Sequence, residues 1–159
     1  MASEESAVHP AGASPQASPL RVLADTNVLL DLLLARQPWL NQARPMWNAY
    51  DAGRLSIYLP ASVLTDIFYI CRKQVGVAHA RQAVETCLHG FTVIAVDRTI
   101  VEAALALPGN DFEDNVQIAC TQSAALDLIV TRNTTDFAHS SAPAVEPSTV
   151  VSRLGGPTE

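Results

Sequence analysis

Asp25 closes the apolar run RVLAD, Asp66 interrupts the segment ASVLTDIFYI, Asp111 and Asp114 open DFEDNVQIAC, and Asp136 follows DLIVTRN. Each lies just after a strand-like run or in the first turn of a helix-like one. In an α/β fold the carboxyl ends of parallel strands share one crevice, so residues this far apart in sequence can meet there. Clustered carboxylates repel one another and are costly to keep ionised without a positive partner. A hard divalent cation bound through oxygen, Mg²⁺ or Mn²⁺, is the usual partner. The chemistry such a site performs is metal-dependent phosphoryl transfer.

Each residue also has a plainer reading. Asp25, fixed at a strand end, suits a cation ligand, yet Asp25-Thr26-Asn27 is also a helix cap. Thr26 and Asn27 can hydrogen-bond the turn or a phosphate oxygen. Asp111 and Asp114, three apart, share a helix face and repel unless a cation or solvent intervenes. Acids in a first turn also favour the helix dipole by roughly 0.3–1 kcal/mol, and Asp111 alone reads equally well as a cap. Asp66 stands among Val63, Leu64, Ile67 and Phe68, on either a functional or a wet face. Glu113 reads as solvated, Asp31 as the solvent side of its helix, and Asp127 as a turn residue. Thr131, Arg132 and Asn133, just beyond a buried strand, are placed to touch a substrate backbone. His79, His89 and His139 show no ligand spacing, and no Ser–His–Asp set or phosphate-cradling glycine loop is present.

The elements that position these residues alternate. RVLA reads as a first strand, followed by a short helix NVLLDLLLAR that Pro38 stops. A helix spans about 41–52, and LSIYL alternates as a second strand. After Pro60 comes a helix with Ser62 as a possible cap, closed by Gly76; a further helix covers about 78–88. FTVIAV is a strand, residues 98–107 are helical, and the helix from Asp111 to about Ala125 leads into LDLIVTR, a fully buried strand. PAVEP and STVVSRL make a short edge strand and a terminal helix. This order predicts a three-layer α/β/α sandwich around a central, mostly parallel sheet.

The 159 residues suit one domain, at 20–154, with 48% hydrophobic and only 16% charged residues leaving little for solvated segments. Residues 1–19, rich in Ala, Ser and Pro, read as a disordered leader, and 155–159 as a flexible tail. No basic start and apolar centre marks a signal peptide, and no apolar run approaches a membrane span, so a cytoplasmic protein is expected. Cys71, Cys87 and Cys120 are widely spaced in apolar patterns and read as buried free thiols. The net charge of −6 and the single lysine, Lys73, argue against a general nucleic-acid coat protein. They leave room for a nuclease whose own acids supply much of that charge. Trp39, Trp47, Tyr50, Phe68 and Tyr69 supply either a partner surface or, for most of them, core.

LADTNVLLDLLL closely resembles the opening signature of PIN domains, and the resemblance continues through SVLTDIFY and DFEDNVQIACTQSAALDLIVTRNTTDF. The three blocks run in register from Arg21 to Phe137. The resemblance implies a Mg²⁺- or Mn²⁺-dependent ribonuclease, for small members commonly the toxin of a toxin–antitoxin pair. It further implies an RNA substrate, an antitoxin partner and a homodimer. Asp25, Asp66 and Asp114 would be its metal-site acids, with Asp111 or Asp136 orienting water or helping to hold a second ion. The chain departs from the family pattern where Asp66 replaces the commoner Glu, and where Asn133 stands in place of an Asp. Those two departures favour a rival reading, a PIN-like binding or assembly module with weakened catalysis; housekeeping RNA processing is a third. An aspartyl-phosphate phosphatase would need a second acid where Asn27 stands. A receiver domain would need a lysine after a late strand, and Lys73 lies in a helix.

Overall fold

The structure, a computed structural model, describes residues 18–154. The expected leader, save Ser18 and Pro19, and the expected tail lie outside the described residues. Five strands form one sheet: β1 (Leu20–Ala24), β2 (Leu55–Pro60), β3 (Thr92–Ile94), β4 (Leu128–Val130) and β5 (Ala144–Val145). They are ordered β3-β2-β1-β4-β5, and every neighbouring pair is parallel. Six helices cover it: α1 (Thr26–Leu33), α2 (Trp39–Asp51), α3 (Ala61–Val75), α4 (Val77–Gly90), α5 (Arg98–Ala106) and α6 (Phe112–Ser123). A 3₁₀ turn, Thr134–Phe137, follows β4, and a second 3₁₀ segment, Pro147–Arg153, follows β5.

The period-two alternation of β1 and β4 divides the core. Val22, Ala24, Leu128 and Val130 face one layer, packed with α1 to α4 and the terminal 3₁₀ segment. Leu23 and Ile129 face the other, against α5, α6 and Phe137. Both faces are covered, as the apolar runs require, and the fold is the expected α/β/α sandwich. Ile129 is fully buried, so Ile129→Ala is expected to cost about 2–5 kcal/mol of unfolding free energy, read by urea denaturation.

The edges of elements differ from the sequence pattern more than their order does. α1 ends at Leu33, short of Arg36, because Ala35 turns left-handed (φ 49°). The Arg36 N–H then reaches back to the Asp31 carbonyl at 2.9 Å, a six-to-one closure that terminates the helix. Gly53 closes α2 the same way, the Arg54 N–H bonding the Ala49 carbonyl at 2.9 Å. Ser62 makes no cap; α3 already starts at Ala61, which puts Asp66 in the second turn rather than the first. Gly76 (φ 90°) separates α3 from α4, a backbone conformation that glycine tolerates best. Only three residues of FTVIAV and three of LDLIVTR pair as strand, and STVVSRL is 3₁₀ rather than α-helical. Asp127 lies in a turn as read, and its Oδ2 accepts from the Arg21 N–H at 2.8 Å.

Trp47 is buried and meets Tyr50 and Phe91 with ring centroids 6.4 and 6.1 Å away, while Phe68 packs on the same core. Trp39 and Tyr69 stay exposed. All three cysteines are buried and free; burial pushes the Cys87 and Cys120 thiols up to about 11, which keeps them unreactive.

Candidate active site

β1 and β4 are adjacent, and the chain runs outward from them in opposite directions, toward β3 on one side and β5 on the other. The carboxyl ends of these two strands are therefore the switch point where an open parallel sheet leaves a crevice. Asp25 follows β1 there, and Thr131 to Asn133 follow β4. A cleft of about 540 Å³ opens at this place, lined by six acids: Asp25, Asp66, Asp111, Glu113, Asp114 and Asp136. Thr26, Asn27, Arg132 and Asn133 line it too.

Asp25 is 9% exposed, and its carboxylate does not cap α1. Oδ1 accepts from Gln117 Nε2 at 3.1 Å and Oδ2 from the Thr131 hydroxyl at 2.9 Å. Its N–H donates to the Val130 carbonyl at 2.9 Å, tying it to β4. The simple capping alternative for Asp25 is thereby removed. Thr131 needs a correction: it is fully buried, so it positions Asp25 instead of touching a substrate. Gln117, from one face of α6, had no sequence signal beyond being a polar residue in an apolar helix.

Asp111 does cap. Its Oδ1 accepts from the N–H groups of Glu113 (2.9 Å) and Asp114 (3.2 Å). That cap starts α6 at Phe112 and sets both acids in the first turn, where side chains lean back toward the helix N-terminus. Glu113, expected to point into solvent, instead accepts from the Thr26 hydroxyl at 2.8 Å and belongs to the cleft. The run DFED, three acids in four residues, was the signal for it. Asn133 donates its amide to Asp136 Oδ2 and accepts from the Thr135 hydroxyl at 2.9 Å. This self-bonded turn holds the Asp136 carboxylate at the cleft.

Burial first, and then the charges of Asp111, Asp25, Asp136 and Glu113, together push the Asp114 carboxyl up to about 7. The Glu113 carboxyl is also raised, first by burial and then by Asp66, Asp25 and Asp111, against the lowering effect of the Thr26 hydrogen bond. Among the described residues, no three His, Cys, Asp or Glu side chains stand close enough together to hold a metal ion. Asp25, Asp66 and Asp114, expected to share a cation, line this one cleft together. The donor set suits a hard divalent cation, being oxygen throughout, with one carboxyl that burial and like charge leave about half ionised at pH 7.

Arg132 is the one Lys or Arg among the described residues lining the cleft. Its Nε lies 3.1 Å from Asp31 Oδ2, and its guanidinium sits 4.2 Å above the Trp39 ring. Asp31, expected on the solvent side of α1, is 3% exposed. It is buried because Arg132, arriving from β4, and Arg36, with Nη1 3.9 Å from Oδ1, meet its charge. Its carboxyl is raised on balance, first by burial, against the lowering effect of the two arginines and with a further push from Asp25. Asp31→Ala would leave Arg132 partly buried without its partner, at an expected cost of about 1–3 kcal/mol in urea denaturation.

A doubly covered parallel sheet with an acidic cleft at its switch point defines an α/β protein. The PIN domain family model matches residues 21–135, and the chain belongs to that family. A toxin–antitoxin complex from Klebsiella pneumoniae contains a chain 26% identical, with 79% of this chain and 97% of that one covered and a TM-score of 0.59. VapBC2 from Rickettsia felis, bound to a DNA fragment from its promoter, is 12% identical over 80% and 98% of the two chains, with a TM-score of 0.62. VapC20 from Mycobacterium tuberculosis, a sarcin-ricin loop cleaving toxin, is 16% identical over 68% and 86%, with a TM-score of 0.57. The last two share the fold. No curated protein matches the chain. Among the described residues, no helix is long and apolar enough to cross a membrane.

Proposed function

We propose that this chain is a Mg²⁺- or Mn²⁺-dependent ribonuclease, the toxin of a toxin–antitoxin pair. The observation that carries the reading is the cleft of six carboxylates at the β1/β4 switch point, with Asp114 pushed up to about 7. Asp25, Asp66 and Asp114 would hold the cation, and Glu113 is added to the acids able to complete its shell. A bound divalent ion lowers the pKa of its water and neutralises charge on phosphoryl oxygens. Gln117 and Thr131 hold Asp25 in one orientation, so its carboxylate needs no reorganisation when a ligand arrives. Asp111 keeps α6 in register, and Asp136, fastened by Asn133, stands ready to orient a water. Arg132, Thr26, Asn27 and Asn133 offer the cleft's contacts to an RNA backbone.

An acidic cleft of this kind is blocked by a cationic segment of a partner, which supports an antitoxin, as does likeness to a chain from a toxin–antitoxin complex. A homodimer is part of the same reading. The binding-module alternative draws on Asn133 and Asp66 and on the spacing of the acids. Incubating purified protein with RNA separates the two. Cleavage that appears with Mn²⁺ and stops with EDTA supports the nuclease; intact RNA at every Mn²⁺ concentration supports the module.

A further inference from the structure

A second cavity, of about 220 Å³, lies beside the acidic cleft and shares Arg132 with it. Its walls come from α1, the first turn of α2, and the 3₁₀ segment after β5. Trp39 and the guanidinium stacked on its ring form one side, with Glu146 and Gln42 among the polar residues. The stack is fixed from behind by the buried Asp31, whose Oδ1 accepts no hydrogen bond. We infer that this cavity is a recognition subsite for one guanine base of the RNA, next to the scissile phosphate; the inference rests on the ribonuclease reading above.

Four observations point the same way. The volume is below the roughly 300–1,000 Å³ of drug-sized sites and admits one planar ring system. Unpaired RNA bases are recognised by stacking on aromatic rings or arginine planes and by hydrogen bonds to their edges, and the Trp39–Arg132 stack supplies such planes. Arg132 borders both spaces, which puts a base next to a phosphate bound in the cleft within reach of this cavity. Glu146 selects among bases, because an ionised carboxylate only accepts hydrogen bonds. Guanine presents two adjacent N–H donors, N1–H and the N2 amino group, to such a group. Adenine, cytosine and uracil each oppose it with at least one acceptor, which leaves a polar atom unpaired.

The test sequences the cut ends of a random-sequence RNA pool after digestion with the full chain and Mn²⁺. Wild type is expected to favour guanine on one side of the cut by about ten- to a hundredfold. Glu146→Gln and Trp39→Ala should flatten that preference. The readout is a ratio of cut sites, so a slower enzyme does not mimic the effect, and should Trp39→Ala fail to fold, Glu146→Gln decides alone. Cleavage without base bias, or an unchanged bias in Glu146→Gln, overturns the subsite and leaves the ribonuclease standing. Either result overturns it even if free guanosine 5′-monophosphate binds. If wild type cuts no RNA, the ribonuclease reading and the substrate role both fall. Guanine recognition by the cavity is then judged by NMR of the Trp39 indole N–H. A shift with guanosine 5′-monophosphate but not cytidine 5′-monophosphate keeps it, and no shift removes it.

Discussion

Asp114→Asn is expected to lose RNA cleavage by about a hundredfold or more while keeping the wild-type circular dichroism spectrum. The change removes a charge and almost no volume, and Asp114 makes none of the hydrogen bonds that join α6 to the sheet. What it removes is one of the carboxylates lining the cleft, and groups preorganised for developing charge are worth about 10²–10³ in rate. Asp25→Asn is the less clean variant. Gln117 Nε2 and the Thr131 hydroxyl both donate to Asp25, so the amide of an asparagine would face a donor and cost folding stability as well as activity. Full cleavage by folded Asp114→Asn would remove this residue from the mechanism.

Metal-free protein is expected to melt at a lower temperature at pH 8 than at pH 5. Asp114 titrates near 7 when folded, against an ordinary value of 3.8. The folded state therefore holds its proton more tightly than the unfolded chain does. The contribution of that proton to stability is fully present below about pH 4 and is lost as pH rises through 7. Asp114→Asn, neutral throughout, should flatten the slope and melt above wild type at pH 8. Mn²⁺ should act oppositely to alkali. At a hundred times its dissociation constant a ligand bound only by the folded state adds about 2.7 kcal/mol. For a chain of this size that is about 5–10 °C in Tm. The scan is a thermal melt with EDTA or Mn²⁺ at both pH values, and a wild-type Tm that is flat with pH and unmoved by Mn²⁺ would contradict the electrostatic picture of the cleft.

The succession of strands and helices and the placing of the acids at their ends were legible because they follow from local pattern: two-residue and 3.6-residue periods, turn residues, and the DTN and DFED motifs. The misreadings are long-range. Gln117 meets Asp25 across 92 positions and Thr131 meets it across 106, and no local period encodes such a pair. Asp31 looked solvated because an isolated acid in a leucine-rich helix is assigned to the wet face. Its burial depends on Arg132, which reaches it from another strand. Glu113 was assigned by helical wheel alone, but the Asp111 cap brings the whole first turn of α6 to the cleft. The apolar runs overstated β3 and β4 because hydrophobicity extends past the last paired residue, into the turns that carry the site.

The acids of the cleft are expected to bind a divalent cation together. Isothermal titration of Mn²⁺ into the EDTA-stripped protein at pH 7.5 tests it most directly. Saturable binding by wild type, with proton release as Asp114 ionises and at least tenfold weaker binding by Asp114→Asn, is the predicted result. Heats no larger than dilution in wild type, or equal affinity in the variant, would contradict it.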